Sequence, residues 1–397
     1  MIIGIVGKPS TGKSTFFNAA TLAGAEMAAY PFTTIKPNHA VGYVKINCVD
    51  KFFGKQCMPR FGYCLNHNRF IPVDLMDIAG LVPGAHEGLG MGNQFLEDIR
   101  QANVCIHIVD ASGSTNEKGE SVAPLSYDPV NDIRFLEEEL NYWYLGVIKK
   151  GWEKLARQIV QEKSEAYKII AKQMSAFGIT EELSKEITEK LKLKDKLPTL
   201  WTEEDLMNLA VRFRKETKPV LIAANKIDVP GTEKNIERLK ASFPEFLIVP
   251  CSAESEYALR QAAKHSVIDY IPGESDFTIK GNVNEAQKKA LEFIRENILK
   301  RYGSTGVQQV LNAAVFDFLK YVAIYPGGVG KLEDSEGRTL PDCFLMPPKT
   351  TALNFAYKLH TDLGKNFIRA INVKTKMSVG KDHPLQSGDV IEIVSGK

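Results

Sequence analysis

The chain of 397 residues lacks any apolar run near the 18 or so residues of a membrane-spanning helix. It also lacks net charge. Fifty Lys and Arg against 48 Asp and Glu leave +2, so no global basic field points to nucleic acid and any such contact must be local. Cysteine is scarce: six residues with no C-x2-C pair exclude a disulfide scaffold and fit a reducing compartment. Residues 1–7 (MIIGIVG) have no basic start and no cleavage site, so a soluble cytoplasmic protein is expected. Disorder as the main state is excluded by a hydrophobic content of 44% with 25% charged residues. At roughly 150 residues per domain, the length predicts two or three domains.

Apolar strand-like runs at 39–46, 70–76, 104–109, 219–224 and 246–250 alternate with helical patterns at 13–22, 94–101 and 234–242. That alternation predicts a mostly parallel sheet covered on both faces. Residues 130–197 hold no proline, and 25 of residues 131–200 are charged. Within them Ile133, Leu136, Leu140, Trp143 and Val147 form a helical stripe, read as a core-facing seam. Gly178 followed by Thr180 reads as a helix stop and a fresh N-cap. A helical hairpin inserted into the α/β domain is expected. The last 78 residues are strand-like, with turn signals and one short helix at 351–359, and are read as a separate small α+β domain. The predicted division is 1–129 and 216–319 for the nucleotide domain, 130–215 for the insertion and 320–397 for the last domain.

The strongest motif is Gly7-Lys8-Pro9-Ser10-Thr11-Gly12-Lys13-Ser14, which fits G-x-x-x-x-G-K-[ST] between an apolar strand and a helix. In the stretch from Lys8 through Pro9 to Thr15, the backbone N–H groups of the loop and the helix N-terminus would present partial positive charge to phosphate oxygens. Lys13 would reach the β- and γ-phosphates and the Ser14 hydroxyl would coordinate Mg2+. Asp77-Ile-Ala-Gly80 is a D-x-x-G arrangement, in which Asp77 would hold Mg2+ and the Gly80 N–H the γ-phosphate. Five glycines between positions 80 and 92 allow that loop to rearrange. Upstream, Thr34 is the expected switch hydroxyl on Mg2+, with Thr33 the runner-up.

Base choice falls to Asn225-Lys226-Ile227-Asp228. The Asp228 carboxylate can accept hydrogen bonds from guanine N1–H and the 2-amino group together, whereas adenine offers neither donor. Asn225 would tie the loops together and the Lys226 stem would lie along the base. Ser252 and Ala253, after a further strand, would bring backbone N–H groups to the guanine O6; alone they are a plain strand-to-helix turn.

In these stretches, in the glycine-rich run to Gly92-Asn-Gln-Phe-Leu and in the helical insertion, the chain resembles the Obg-related translation-factor GTPases, and among them the YchF (Obg-like ATPase) family. The region from 351 to 393, with His360-Thr-Asp-Leu and Gly388-Asp-Val-Ile-Glu-Ile, looks like a TGS domain, a ubiquitin-like β-grasp module. The resemblance implies a P-loop NTPase fold of the Ras-like G-domain type, and a nucleotide switch associated with ribosomes or translation; a monomer is expected. Two departures matter. Family members carry an altered triplet at the base motif and often accept ATP, whereas Asp228 here favours GTP. Related GTPases often have an Asn at the place of Ser10 that helps coordinate potassium, which leaves potassium dependence open.

Leu81 follows D-x-x-G where Ras-like switches have the water-orienting Gln, so slow intrinsic hydrolysis is expected. His86 and Glu87 read as solvated loop residues, and no catalytic base is assigned. In the last domain Lys365, Arg369, Lys374, Lys376 and Lys381 either meet RNA phosphates or protect a strand edge. His360 reads as structural. Cys48, Cys57, Cys64 and His67 could hold zinc, but their spacing matches no standard module, so plain thiols are expected. The functional expectation is a Mg2+-dependent GTPase switch. Its rivals are an ATPase or dual ATP/GTP hydrolase of the same fold and a ribosome- or RNA-binding adaptor with a largely structural nucleotide. Nucleotide-dependent dimerisation is left open.

Overall fold

A computed structural model describes residues 1–22, 38–78, 80 and 92–396. Thr33, Thr34, Leu81, His86 and Glu87 lie outside the described residues. Strand β1 (Ile2–Val6) leads through the phosphate loop into α1 (Lys13–Thr21). Next come β2 (His39–Asn47), the short β3 (Tyr63–Leu65) and β4 (Asn68–Asp77). After α2 (Gly92–Gln101) and β5 (Val104–Asp110) five α-helices run in series. These are α3 (Val130–Lys149), α4 (Trp152–Glu162), α5 (Ala166–Gln173), α6 (Glu181–Lys190) and α7 (Glu203–Thr217). The α/β alternation resumes with β6 (Val220–Asn225), α8 (Glu233–Ser242), β7 (Ile248–Pro250) and α9 (Ala253–Lys264). A small ladder, β8 (Ile268–Asp269) and β9 (Thr278–Ile279), precedes α10 (Glu285–Ile294), α11 (Lys300–Tyr302) and α12 (Val307–Asn312). The chain then forms β10 (Val322–Pro326), β11 (Phe344–Met346), α13 (Ala352–Leu359) and α14 (Thr361–Lys365). It ends in β12 (Phe367–Asn372), β13 (Met377–Val379) and β14 (Val390–Ser395).

These elements make two compact units, Met1–Phe17 with Met76–Glu254, and Asn18–Leu75 with Ser255–Lys397. In the first, β1, β5, β6 and β7 lie side by side and parallel in that order. Every residue of β5 and β6 is buried. Strands covered on both faces read as continuous apolar runs rather than alternating ones, which is why these segments were visible in the sequence. The helical insertion carries its own core, in which Trp152 stacks on Trp201 with ring centroids 5.1 Å apart. Ile133, Leu136 and Leu140 are buried on α3, and Trp143 and Val147 pack against that core. The break at Gly178 (φ 77°) and the N-cap at Thr180, whose hydroxyl accepts from Leu183 N, are as expected. The insertion divides further than that one stop indicates, because Gly151 and Lys163 also turn left-handed and end α3 and α4.

The second unit holds β2, with β4 as its neighbour, and β3 antiparallel to β4. Its other sheet has the order β11-β10-β14-β12-β13, with α13 contributing Phe355 and Ala352 to a core under it. A capping box of Thr351 and Asn354 starts α13 at the expected place. His360 is structural: its Nδ1 accepts from Asp362 N and caps α14. Of the five basic residues, Lys365, Arg369, Lys376 and Lys381 are exposed, whereas Lys374 turns its ammonium to Gly388 O at 3.3 Å. Among the described residues no helix is long and apolar enough to cross a membrane.

Candidate nucleotide site

The loop 7–12 bends between β1 and α1 with Ser10 and Gly12 both left-handed, at φ 64° and 89°. A side chain at Gly12 would be strained at that φ, and its Cβ would stand 2.3 Å from Asn225 Nδ2. Gly7 is held as tightly, since a Cβ there would lie 2.6 Å from Ile108 O. Thr11 Oγ1 donates to Lys8 O at 3.1 Å, and Phe16 N to Gly12 O begins the helical bonding of α1. The N–H groups before Phe16 are thus the orphan donors of a helix start. Lys13 pairs with Asp77 at the end of β4, and Gly80 lies beside Pro9. Ser14 is exposed in the first turn of α1 and Thr15 half-buried. The Ser14 hydroxyl and the Asp77 carboxylate are hard oxygen donors of the kind Mg2+ takes.

The Lys8 side chain is buried. Its ammonium is 2.9 Å from both oxygens of Asp132 on α3, 2.9 Å from Thr115 O and 3.9 Å above the Tyr127 ring. Sequence reasoning placed Lys8 in the phosphate loop without seeing that its side chain is buried in an ion pair.

The base motif follows β6. Asn225 Nδ2 donates to Thr11 O at 2.9 Å while its Oδ1 accepts from Ala253 N at 3.0 Å, so one amide joins the phosphate loop to the loop after β7. Ser252 Oγ donates to Asp228 Oδ1 at 2.7 Å. Lys226, left-handed at φ 68°, donates to Asp110 Oδ2 at 2.9 Å. Asp110, fully buried at the end of β5, also accepts from Ser112, Ser114 and Thr115 hydroxyls. Burial opposes its charge, but the bonds from Ser112 and Lys226 outweigh it and hold the carboxyl below its ordinary value. This anchor for Lys226 was missed, although Val-Asp-Ala-Ser-Gly-Ser-Thr after a buried strand was there to suggest it.

Beneath the loop, His107 pairs in register with Val6 and is buried. Burial, with the Lys8 charge second, pushes its imidazole down to about 3. A histidine held neutral in the folded state takes up a proton in the unfolded chain first, so its penalty grows as pH falls below its ordinary value. Acidification from about pH 6.5 to about pH 5 is therefore expected to cost roughly 2 kcal/mol through this residue. Urea unfolding across that range should show a shallower slope in His107→Leu than in the parent; equal slopes would rule this out.

None of the six cysteines is in a disulfide. Cys48, Cys57 and Cys64 come together, but the fourth potential ligand beside them is Asp50, absent from the sequence reading, while His67 Nδ1 bonds Asp50 Oδ1 at 2.9 Å.

A phosphate loop after the first strand, D-x-x-G at the end of another and N-K-x-D after a buried third, on a parallel sheet, define a P-loop G domain. Family models agree. One for a 50S ribosome-binding GTPase matches residues 2–136, one for an Obg-like GTPase YGR210-like, G4 motif-containing domain matches 223–328, and a TGS domain matches 336–395. An uncharacterized GTP-binding protein of Methanocaldococcus jannaschii is 46% identical over 395 residues, 99% of each chain. The crystal structure of a GTP binding protein from Pyrococcus horikoshii OT3 is 38% identical with a TM-score of 0.77 over the whole of both chains. The ribosome-binding ATPase YchF of Bacillus subtilis is 26% identical over 418 residues, 98% of this chain and 97% of the other. The chain belongs to the Obg-like GTPase family, on a branch related to YchF, with a G domain, a helical insertion and a C-terminal TGS domain.

Proposed function

We propose that this chain is a Mg2+-dependent GTPase that acts as a conformational switch on the ribosome. The observation that carries this reading is the Asn225–Asp228–Ser252 arrangement. Asp228 is fixed by Ser252 with its second oxygen left for a base, and Asn225 holds that reader against the phosphate loop. A fixed carboxylate acceptor matches the paired donors of guanine and not the edge of adenine. The loop N–H groups of Lys8 and of Ser10 to Thr15, with the Lys13 ammonium, take the phosphates, and Pro9 lines the loop. Ser14, Asp77 and Thr34 would hold Mg2+, which offsets charge on the triphosphate oxygens. Gly80 and Thr34 would follow the γ-phosphate, so its loss releases both loops.

Hydrolysis is slow on this reading, because Leu81 cannot orient water. On this reading residues 1–129 with 216–319 bind the nucleotide, and the insertion (130–215) and the last domain (320–397) report its state. Ribosome association is supported by the relatives' names and by the exposed Lys365, Arg369, Lys376 and Lys381.

The test is equilibrium binding of GDP and ADP with Mg2+, followed by turnover of GTP with and without ribosomes. Tight GDP binding, weak ADP binding and turnover that rises severalfold on ribosomes are expected. Equal or stronger ADP binding would make the protein an ATPase of the same fold, as the Bacillus relative is named. Turnover that ribosomes leave unchanged would remove the switch from the ribosome.

A further inference from the structure

The nucleotide site leaves one cluster of chemically capable side chains unused. Cys48 directly follows β2, Asp50 sits in a 3-10 turn at Val49–Phe53, Cys57 lies in the loop beyond, and Cys64 is on β3. One ligand atom from each lies within 4.8 Å of all the others. Cys48 Sγ and Cys57 Sγ are 3.4 Å apart, and Cys64 Sγ is 3.8 Å from Asp50 Oδ2. In a tetrahedral zinc centre with Zn–S bonds of about 2.3 Å the ligand atoms stand about 3.8 Å from one another, so the Cys48–Cys57 and Cys64–Asp50 pairs already stand close to the required spacing. We propose that Cys48, Cys57, Cys64 and Asp50 bind one Zn2+ ion in a closed structural site.

The surroundings fit a negative centre. Asp50 is fully buried, and its other oxygen accepts from His67 Nδ1, the kind of outer partner that orients a ligating carboxylate. Three thiolates and a carboxylate on a dication carry net negative charge, and a buried cation stands against it. Arg69, 1% exposed, donates to Cys57 Sγ at 3.5 Å and otherwise to the Leu340 and Pro341 carbonyls rather than to a carboxylate. Buried charges are paired, and the thiolate group supplies that pairing. Tyr325 OH donates toward Cys48 Sγ at 3.7 Å. Metal binding releases the thiol protons to solvent.

A Cys48–Cys57 disulfide is the rival, but it would leave Cys64 and Asp50 facing a spent pair. Among the described residues no other group of three or more His, Cys, Asp or Glu comes together in this way. The ion would staple an irregular stretch, left-handed at Asn66 and His67, onto the apolar cluster of Tyr325, Leu340, Val373 and Val390.

The test is elemental analysis of the full chain, purified with reductant from zinc-replete cells and without added metal. About one zinc per chain is expected, with X-ray absorption showing three sulfurs at about 2.3 Å. Cys57→Ser and Cys64→Ser should each lose most of the metal, and Cys105→Ala should keep it. Should the serine variants not fold, the wild type decides alone: Co2+ added to chelated protein should give a thiolate-to-cobalt charge-transfer band. Absent zinc together with an absent band, full zinc retention by both serine variants, or a Cys48–Cys57 disulfide in the peptide map of the isolated protein would each overturn the proposal.

Discussion

Replacing Asp228 by alanine is expected to erase the preference for guanine, lowering the ratio of GDP to ADP affinity by on the order of a hundredfold. The argument rests on where the carboxylate's two oxygens go. Ser252 Oγ takes Oδ1 at 2.7 Å and so fixes the rotamer, which leaves Oδ2 and the free lone pair of Oδ1 for the base. Guanine presents N1–H and a 2-amino group side by side, and both lose their acceptor in the variant. Adenine presents an unprotonated N1 and no amine there, so it had no bond to lose. The discrimination therefore falls mainly through weaker GDP binding, with ADP affinity little changed. Protein stability should barely move, because Asp228 is only partly buried and its one hydrogen bond among the described residues is to a hydroxyl. Titration of both nucleotides into parent and variant gives the ratio directly. A ratio that is unchanged, or that falls because ADP binds more tightly, would mean that another group reads the base.

What could be read from sequence was whatever is contiguous or periodic. The phosphate loop is eight successive residues whose glycines answer local demands, φ 89° at Gly12 and the carbonyl facing Gly7. The fully buried strands Val104–Asp110 and Val220–Asn225 announce themselves as unbroken apolar runs. The first helix of the insertion shows its stripe. Its break at Lys163 was hidden because that residue turns left-handed, at φ 49°, with no glycine to mark it. Pairings across long separations were invisible for a plainer reason: nothing local specifies them. Asp110 and Lys226 are 116 positions apart, and the sequence showed only a carboxylate after a strand and a lysine in a motif. Asp50 is not marked by cysteine and histidine spacing, because only the folded chain curls its carboxylate in beside Cys48 and Cys57.

Lys8 and Asp132 are the most consequential of these distant pairs, since they tie the phosphate loop to the first insertion helix. Both side chains are nearly inaccessible, at 5% and 6% exposure. Asp132→Ala is expected to cost about 3–5 kcal/mol, because it leaves an ammonium buried with only Thr115 O and the Tyr127 ring for partners. Lys8→Met removes the other charge and leaves Asp132 with the Tyr127 hydroxyl. Its carboxyl is already raised by burial, with Lys8 pulling the other way, so the methionine variant lets it rise further. An acid whose folded value exceeds its unfolded one loses its penalty as pH falls through the folded value. Lys8→Met should therefore recover toward the parent between neutral and mildly acidic pH, whereas Asp132→Ala should not, since acid only keeps its buried lysine charged. The double variant Lys8→Met with Asp132→Leu should lie closer to the parent than Asp132→Ala, because an apolar pair of similar size replaces a buried ion pair at little cost. Urea unfolding of the four proteins at two pH values checks both orderings. Parallel pH dependence in the two single variants would show that the pair is held by packing and not by its charges. Nucleotide affinity adds a functional reading: if the pair sets the loop's resting shape, Asp132→Ala weakens GDP and GTP together and leaves the choice of base intact.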